Sequence, residues 1–213
     1  MRSQLTSLRG VLEALDLDTA CLALLEQTDT PDRLKRSSTP EAIYATIRTI
    51  GQTLNVHQKA NQLADDLEER INIVIHKLKF VAKESRPTVL FLHDVSPVQV
   101  VLDDYLTHLV DIAGGIPCTD TATGSSAPDI VIIISDKPVS QLLNELPDAL
   151  SKAEWKQAEA INNDNVYIVH HVEYFRQPGA LVADEVEILA EIIQPKHFIF
   201  GRDQDIWMRF SLR

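Results

Sequence analysis

Apolar residues along this chain recur first with a helical period and then, beyond Pro87, in short unbroken runs. Leu5, Leu8, Leu12 and Leu15 return every three or four residues, which predicts an amphipathic helix that Gly10 weakens. Ala20 to Leu25 is a short apolar run that periodicity alone assigns neither to strand nor to helix. Gln27 to Ser38 is polar, holds Pro31 and reads as a loop. Thr39-Pro40-Glu41 is a helix start: the hydroxyl can cap, proline suits the first turn, and the acid complements the helix dipole. Ile43, Ile47 and Ile50 give that helix its apolar face, and Gly51 and Asn55 mark its expected end. A longer helix is predicted from His57 to Lys83, with the stripe Ala60, Leu63, Ala64, Leu67, Ile71, Val74 and Leu78.

After Pro87 three runs, Thr88–Leu92, Asp129–Ile134 and Val166–Val169, are apolar without alternation, as strands buried on both faces are. Between and after them lie helical patterns over Val98–Ala113, around Leu142 to Trp155 and over Leu181–Ile193. A loop rich in Thr, Ser and Gly follows Gly115, and Pro195 closes the last helix. Buried strands alternating with helices predict an α/β fold, a mostly parallel sheet flanked by helices. The expected division is a mainly helical N-terminal region over 1–56, a long linking helix over 57–84 and an α/β lobe over 85–213.

The formal net charge of -11 argues against nucleic acid as a partner, because an acidic surface repels phosphate. Two distant cysteines, Cys21 and Cys118, form neither a disulfide framework nor a closed zinc site, and read as free thiols. No stretch is apolar and long enough to span a bilayer. Glu13, Asp16 and Asp18 interrupt the N-terminal apolar residues, so no export signal is visible. The chain as written is expected in the cytoplasm, and in the periplasm or outside the cell if Met1 is not its natural start.

Several segments, in order, resemble one family. They are Ala42–Gly51 (AIYATIRTIG), Ala60–Arg70 (ANQLADDLEER), Leu109–Gly115 (LVDIAGG) and Ala127–Ile132 (APDIVI). Trp155–Val169 (WKQAEAINNDNVYIV), Tyr174–Gly179 (YFRQPG) and Ile188–Phe198 (ILAEIIQPKHF) continue the series. Together they resemble the helical-backbone solute-binding proteins that deliver cobalamin, haem or ferric siderophores to ABC transporters. The resemblance implies the linking helix and C-terminal lobe of such a protein. It covers no counterpart of the family's N-terminal lobe, and Ala180 stands where the cobalamin-type turn continues toward a second arginine.

Candidate ligand-binding residues are Tyr174, Phe175 and Arg176, with His93 and His171. They follow strands, and open α/β sheets bind ligands beyond the carboxyl ends of their strands. Aromatic faces and a cation suit a flat macrocycle with carboxylate or amide edges. The alternative is that Tyr174 and Phe175 pack under their loop while Arg176 pairs with a carboxylate. His170 and His171 are adjacent and cannot easily grip one ion, though one imidazole could serve as an axial ligand to haem iron or cobalt. Trp155 reads as a core anchor. Asp65-Asp66 and Asp103-Asp104 read as solvated faces, since neighbouring helical positions diverge. Gly114-Gly115 ends a helix and lacks dinucleotide-binding spacing. No phosphate loop, nucleophile elbow or zinc motif is present, so no enzyme is predicted.

The expected function is that of a non-enzymatic binding protein for a corrinoid, haem or siderophore. The partner would be an ABC-transporter permease or a second copy of the chain. The alternative is a cytoplasmic protein-interaction module that has lost its ligand.

Overall fold

The computed structural model describes residues 2–119, 127–152, 155, 158–203 and 205–211, with side chains from Thr6 onward. Helix α1 (Arg2–Ala14) buries Leu8, Val11 and Leu12, and Leu15 follows them inward; Leu5 of the predicted stripe lies outside the described side chains. The ambiguous run resolves as helical. Asp18 accepts the Ala20 N–H at 2.7 Å, a single 3-10 turn covers Thr19–Cys21, and α2 is Leu22–Leu25.

The expected loop contains a helix, α3 (Thr30–Lys35). Pro31 sits in its first turn, where a missing N–H breaks no helical bond. Helix α4 (Pro40–Thr53) starts as predicted, with the Thr39 hydroxyl accepting from the Ala42 N–H at 3.3 Å. Gly51 does not end it. A Cβ at Gly51 would fall 2.2 Å from that of Ala60, so the glycine lets the next helix come close.

That helix, α5 (His57–Leu78), is unbroken, and its 22 residues span about 33 Å. It ends five residues before the expected Lys83: the Lys79 N–H reaches only the His76 carbonyl, and a 3-10 turn at Lys83–Ser85 leads to Pro87. Ala60, Ala64, Leu67, Ile71, Val74 and Leu78 are buried along one side, as the periodicity predicts.

The remaining elements are β1 (Thr88–Val95), β2 (Val98–Val100), α6 (Asp104–Ile112), β3 (Ile116–Cys118), β4 (Ile130–Ile133), α7 (Val139–Leu150), α8 (Glu159–Asn162), β5 (Val166–Val169), α9 (Val182–Ile193) and β6 (Trp207–Phe210). The helix expected from Val98 starts later. Val98–Val100 folds back antiparallel on Leu92–Val95, and α6 begins only where Asp103 accepts the Leu106 N–H at 2.8 Å. Gly114, at φ +83°, closes α6 as expected. Most of the Thr/Ser/Gly loop, residues 120–126, lies outside the described residues.

The sheet runs β2-β1-β4-β5-β6, with β3 pairing β1 beside β2. β3, β1, β4 and β5 are parallel; β2 and β6 are antiparallel edges. Alternate residues of each strand feed opposite faces. Val89, Phe91, Ile130, Ile132, Tyr167 and Val169 join α1, α4, α5, α6 and α9 in one core. Leu90, Leu92, Val131, Ile133, Val166 and Ile168 join α7 and the fully buried Trp155 in the other. The chain is therefore an α/β protein whose mostly parallel sheet is flanked by helices. Helix α9 lies deepest: all of its residues but Asp184 are buried, three glutamates among them.

Candidate ligand-binding site

Buried carboxylates need partners, and those of α9 order the loops that surround the carboxyl ends of the strands. Glu191 accepts the backbone N–H groups of Phe200 and Gly201, each at 2.7 Å, and that of Arg202 at 3.1 Å. Glu187 and Asp184 receive the guanidinium of Arg70 from α5 at 2.6 and 2.9 Å, and Arg202 adds a second cation. Glu185 accepts the Tyr105 hydroxyl on one oxygen and the Phe175 N–H on the other. Burial raises the Glu185 carboxyl to a pKa of about 7, against the pull of those two donors.

The bond to Glu185 shapes the candidate loop. Phe175 has φ +61°, a left-handed conformation that costs a non-glycine residue about 1 kcal/mol or more. Its ring turns inward, 6.0 Å from that of Phe91. Tyr174 is also buried, its ring 6.3 Å from His171, and burial raises its hydroxyl above the usual tyrosine range. Neither ring offers an open face for stacking. They form the underside of the loop and set the direction in which Arg176 leaves it.

Arg176 meets His93 and Asp136 at the ends of β1 and β4. Its Nη2 lies 2.9 Å from Asp136 Oδ1, and its Nη1 lies 3.0 Å from His93 Nδ1. The same Nδ1 lies 3.2 Å from the Ile134 carbonyl, which only accepts, so a bare Nδ1 serves Arg176 and a protonated one serves Ile134; Nε2 lies 3.9 Å from Asp136 Oδ2. Burial lowers the guanidinium pKa below the ordinary arginine range, and Asp136 works against that fall. Two of the five candidates, His93 and Arg176, are thus brought together. His171 stands apart on the exposed side of the loop, 3.1 Å from Glu173. His170 is turned to the Asp205 carbonyl at 2.7 Å. Among the described residues no cluster of His, Cys, Asp and Glu has the arrangement of a metal site.

A cavity of about 1030 Å³ opens beside this cluster. Arg9, Gly10 and Glu13 of α1 line one wall; Asp136, Arg176 and Gly179 line the other. Helix α1 is fastened across the gap by the Ser7 hydroxyl, which donates to the Pro178 carbonyl. Gly179 permits that approach, since a Cβ there would sit 3.0 Å from Ser7 Oγ.

The same arrangement of helices and sheet occurs in solved proteins. An ABC transporter substrate-binding protein from Listeria monocytogenes EGD-e superposes with a TM-score of 0.64 at 19% identity, covering 84% of this chain and 74% of its own. A periplasmic heme binding protein from Pseudomonas aeruginosa gives 0.62 at 14% identity, with 82% and 66% covered. S. aureus IsdE, solved with heme, gives 0.61 at 19% identity, with 74% and 66% covered. The chain has the fold of the ABC-transporter substrate-binding proteins. It is the fold that the resemblance implied, and this chain spans about two thirds to three quarters of the length of these three proteins. No protein-family model and no curated protein matches the sequence.

Within this substrate-binding fold, Asp136 and the α1 wall are the parts of the site that the sequence reading passed over. Asp136 carried a usable signal: it follows β4 as His93 follows the buried part of β1, so the rule of strand ends applied to it equally. Arg9 and Glu13 carried none, because only the tertiary fold brings α1 against a turn some 170 residues later.

Proposed function

We propose that this chain is a non-enzymatic binding protein that takes a haem, corrinoid or ferric siderophore into the cavity between α1 and the turn around Pro178. The cavity itself carries this reading. Its volume lies near the upper end of the range for cofactor sites, about 300–1000 Å³. It opens at the carboxyl ends of parallel strands, and two guanidiniums, Arg9 and Arg176, border it. Arginine meets carboxylate edges with paired, charge-assisted bonds, so these two suit the acidic margin of a macrocycle. In this role Arg176 touches the ligand, His93 and Asp136 hold Arg176, and Tyr174 and Phe175 hold the loop. His171 neighbours the cavity-lining Val172 without lining the cavity itself, and would have to turn toward it to offer its imidazole to iron or cobalt as an axial bond. One structural neighbour is a heme binding protein and another was solved in complex with heme, which supports this ligand class. An ABC-transporter permease or a second copy of the chain is the partner this reading implies.

Absorbance titration with hemin and with cyanocobalamin tests the proposal. The expected result is a saturable spectral shift with one of them, weakened about tenfold or more by Arg176→Ala, the loss of one charged hydrogen bond. Loss of the axial-ligand band in His171→Ala would assign that bond. A second reading, an interaction module without a ligand, draws on Arg176 being already paired with Asp136. Spectra unmoved by either compound, together with tryptophan emission unmoved by a ferric hydroxamate or catecholate siderophore, from a folded protein, would select that reading and reject the first.

A further inference from the structure

The end of the molecule opposite the cavity combines the most exposed apolar side chains with a concentration of positive charge. Helices α5 and α9 run in the same direction there, with Leu78 and Gln194 both meeting Gly114. Phe80, just past α5, is 93% exposed, and Ile199, past α9, is 89% exposed. Ile73, Ile75 and Ile116 are exposed around them. Lys77, Lys79, Lys83, Arg86 and Lys196 lie among these residues on exposed or half-buried positions, against the carboxylates of Glu84 and Asp111. None of these five cations forms an ion pair among the described residues. Lys77 lies 5.3 Å over the ring of Phe198, and Arg86 Nη1 reaches the Asp111 carbonyl at 3.4 Å. A groove of about 500 Å³ runs through the patch; Ile75, Val81, Lys79, Lys83 and Arg86 line it together with one acidic residue, Asp111.

This basic end belongs to a chain whose formal charge is -11. Two helix C-termini favour some positive charge here. They do not account for a phenylalanine and an isoleucine projecting fully into solvent from separate turns. We propose that this end docks onto an anionic lipid surface. Phe80 and Ile199 would enter the headgroup boundary, and the lysines around them would meet lipid phosphates. Single apolar tips ringed by lysines suit a soft, anionic interface, into which each tip can sink independently. The rest of the acidic surface is repelled by the same lipids, so the charge distribution orients the molecule. The cavity then faces away from the bilayer, an orientation that fits a second copy of the chain as its partner and not a permease embedded in the same membrane.

Co-sedimentation of the full chain with vesicles is the test. Binding is expected to phosphatidylcholine vesicles containing phosphatidylglycerol, to be absent from pure phosphatidylcholine, and to fall as salt is raised. Lys79→Glu combined with Lys83→Glu should lower the partition coefficient by about tenfold or more. Phe80→Ser should weaken it while leaving the melting temperature unchanged, because the ring is exposed. A Phe80→Trp variant should show blue-shifted emission with anionic vesicles only. Absence of vesicle binding overturns the proposal. So does binding that the charge-reversal variant retains, and so does self-association through this patch on a sizing column without lipid binding.

Discussion

Glu185 is a carboxylate cut off from water: 1% of it is exposed, and both of its oxygens are engaged by Tyr105 and Phe175. Burial raises its pKa from the ordinary 4.5 to about 7. Between those two values the native state keeps a proton that the unfolded chain releases. Stability from this group is therefore fully present below about pH 4.5 and is lost as pH rises through about 7. The shift corresponds to a loss on the order of 3 kcal/mol. Glu185→Gln removes the titration while its amide still bonds the Phe175 N–H and the Tyr105 oxygen. Urea denaturation at about pH 5 and pH 8 should show the variant gaining about 2 kcal/mol on the wild type between the two. A wild type–variant difference that does not change with pH would contradict this. Nothing in the local sequence around Glu185 announced its state. Its partner Tyr105 lies 80 positions away, and a single glutamate on a helix reads alike whether its face is wet or dry.

Helix α5 shows how far periodicity carries and where it stops. Its buried stripe was legible residue by residue, because a helix packed on one side must repeat every three or four positions. Its partner was not legible. Gly51 reads locally as a helix stop, yet it is a point of contact inside α4, and a Cβ there would lie 2.2 Å from Ala60 Cβ. Gly51→Ala should therefore destabilise by about 1–3 kcal/mol through overpacking, although alanine is the better helix former by about 1 kcal/mol. A lower melting temperature is the expected readout; a higher one would show that α4 and α5 separate freely. The central strands β1, β4 and β5 were visible because burial on both faces leaves continuous apolar runs. The edges were not. β2 and β3 are three residues each, and β6 (Trp207–Phe210) mixes half-buried, exposed and buried positions, so each exists only because a buried neighbouring strand offers it hydrogen bonds.

Fold and site separate most clearly when the molecule is taken entire. Strand and helix order, with the resembling segments, was enough for the α/β architecture. Part of one wall of the cavity was also legible, through Arg176, which His93 contacts from behind, because strand ends are identifiable from sequence. The opposite wall is α1, brought there by tertiary contacts. Gly10 then becomes the informative position. It lines the cavity, and a Cβ built on it meets no atom within 4 Å. Gly10→Ala should stabilise the chain by about 1 kcal/mol through helix propensity alone and leave ligand binding intact. Gly10→Trp should project an indole into the same empty space. The melting temperature should be close to that of the wild type, since Leu8, Val11 and Leu12 still dock α1 on the core. The hemin or cobalamin spectral shift should be abolished, because a ligand that fills the cavity cannot share it with the ring. If Gly10→Trp folds and binds as the wild type does, the ligand lies elsewhere and α1 is only a lid on the core. If Gly10→Trp blocks binding as Arg176→Ala weakens it, both walls touch one ligand, and α1 forms the second half of the cleft.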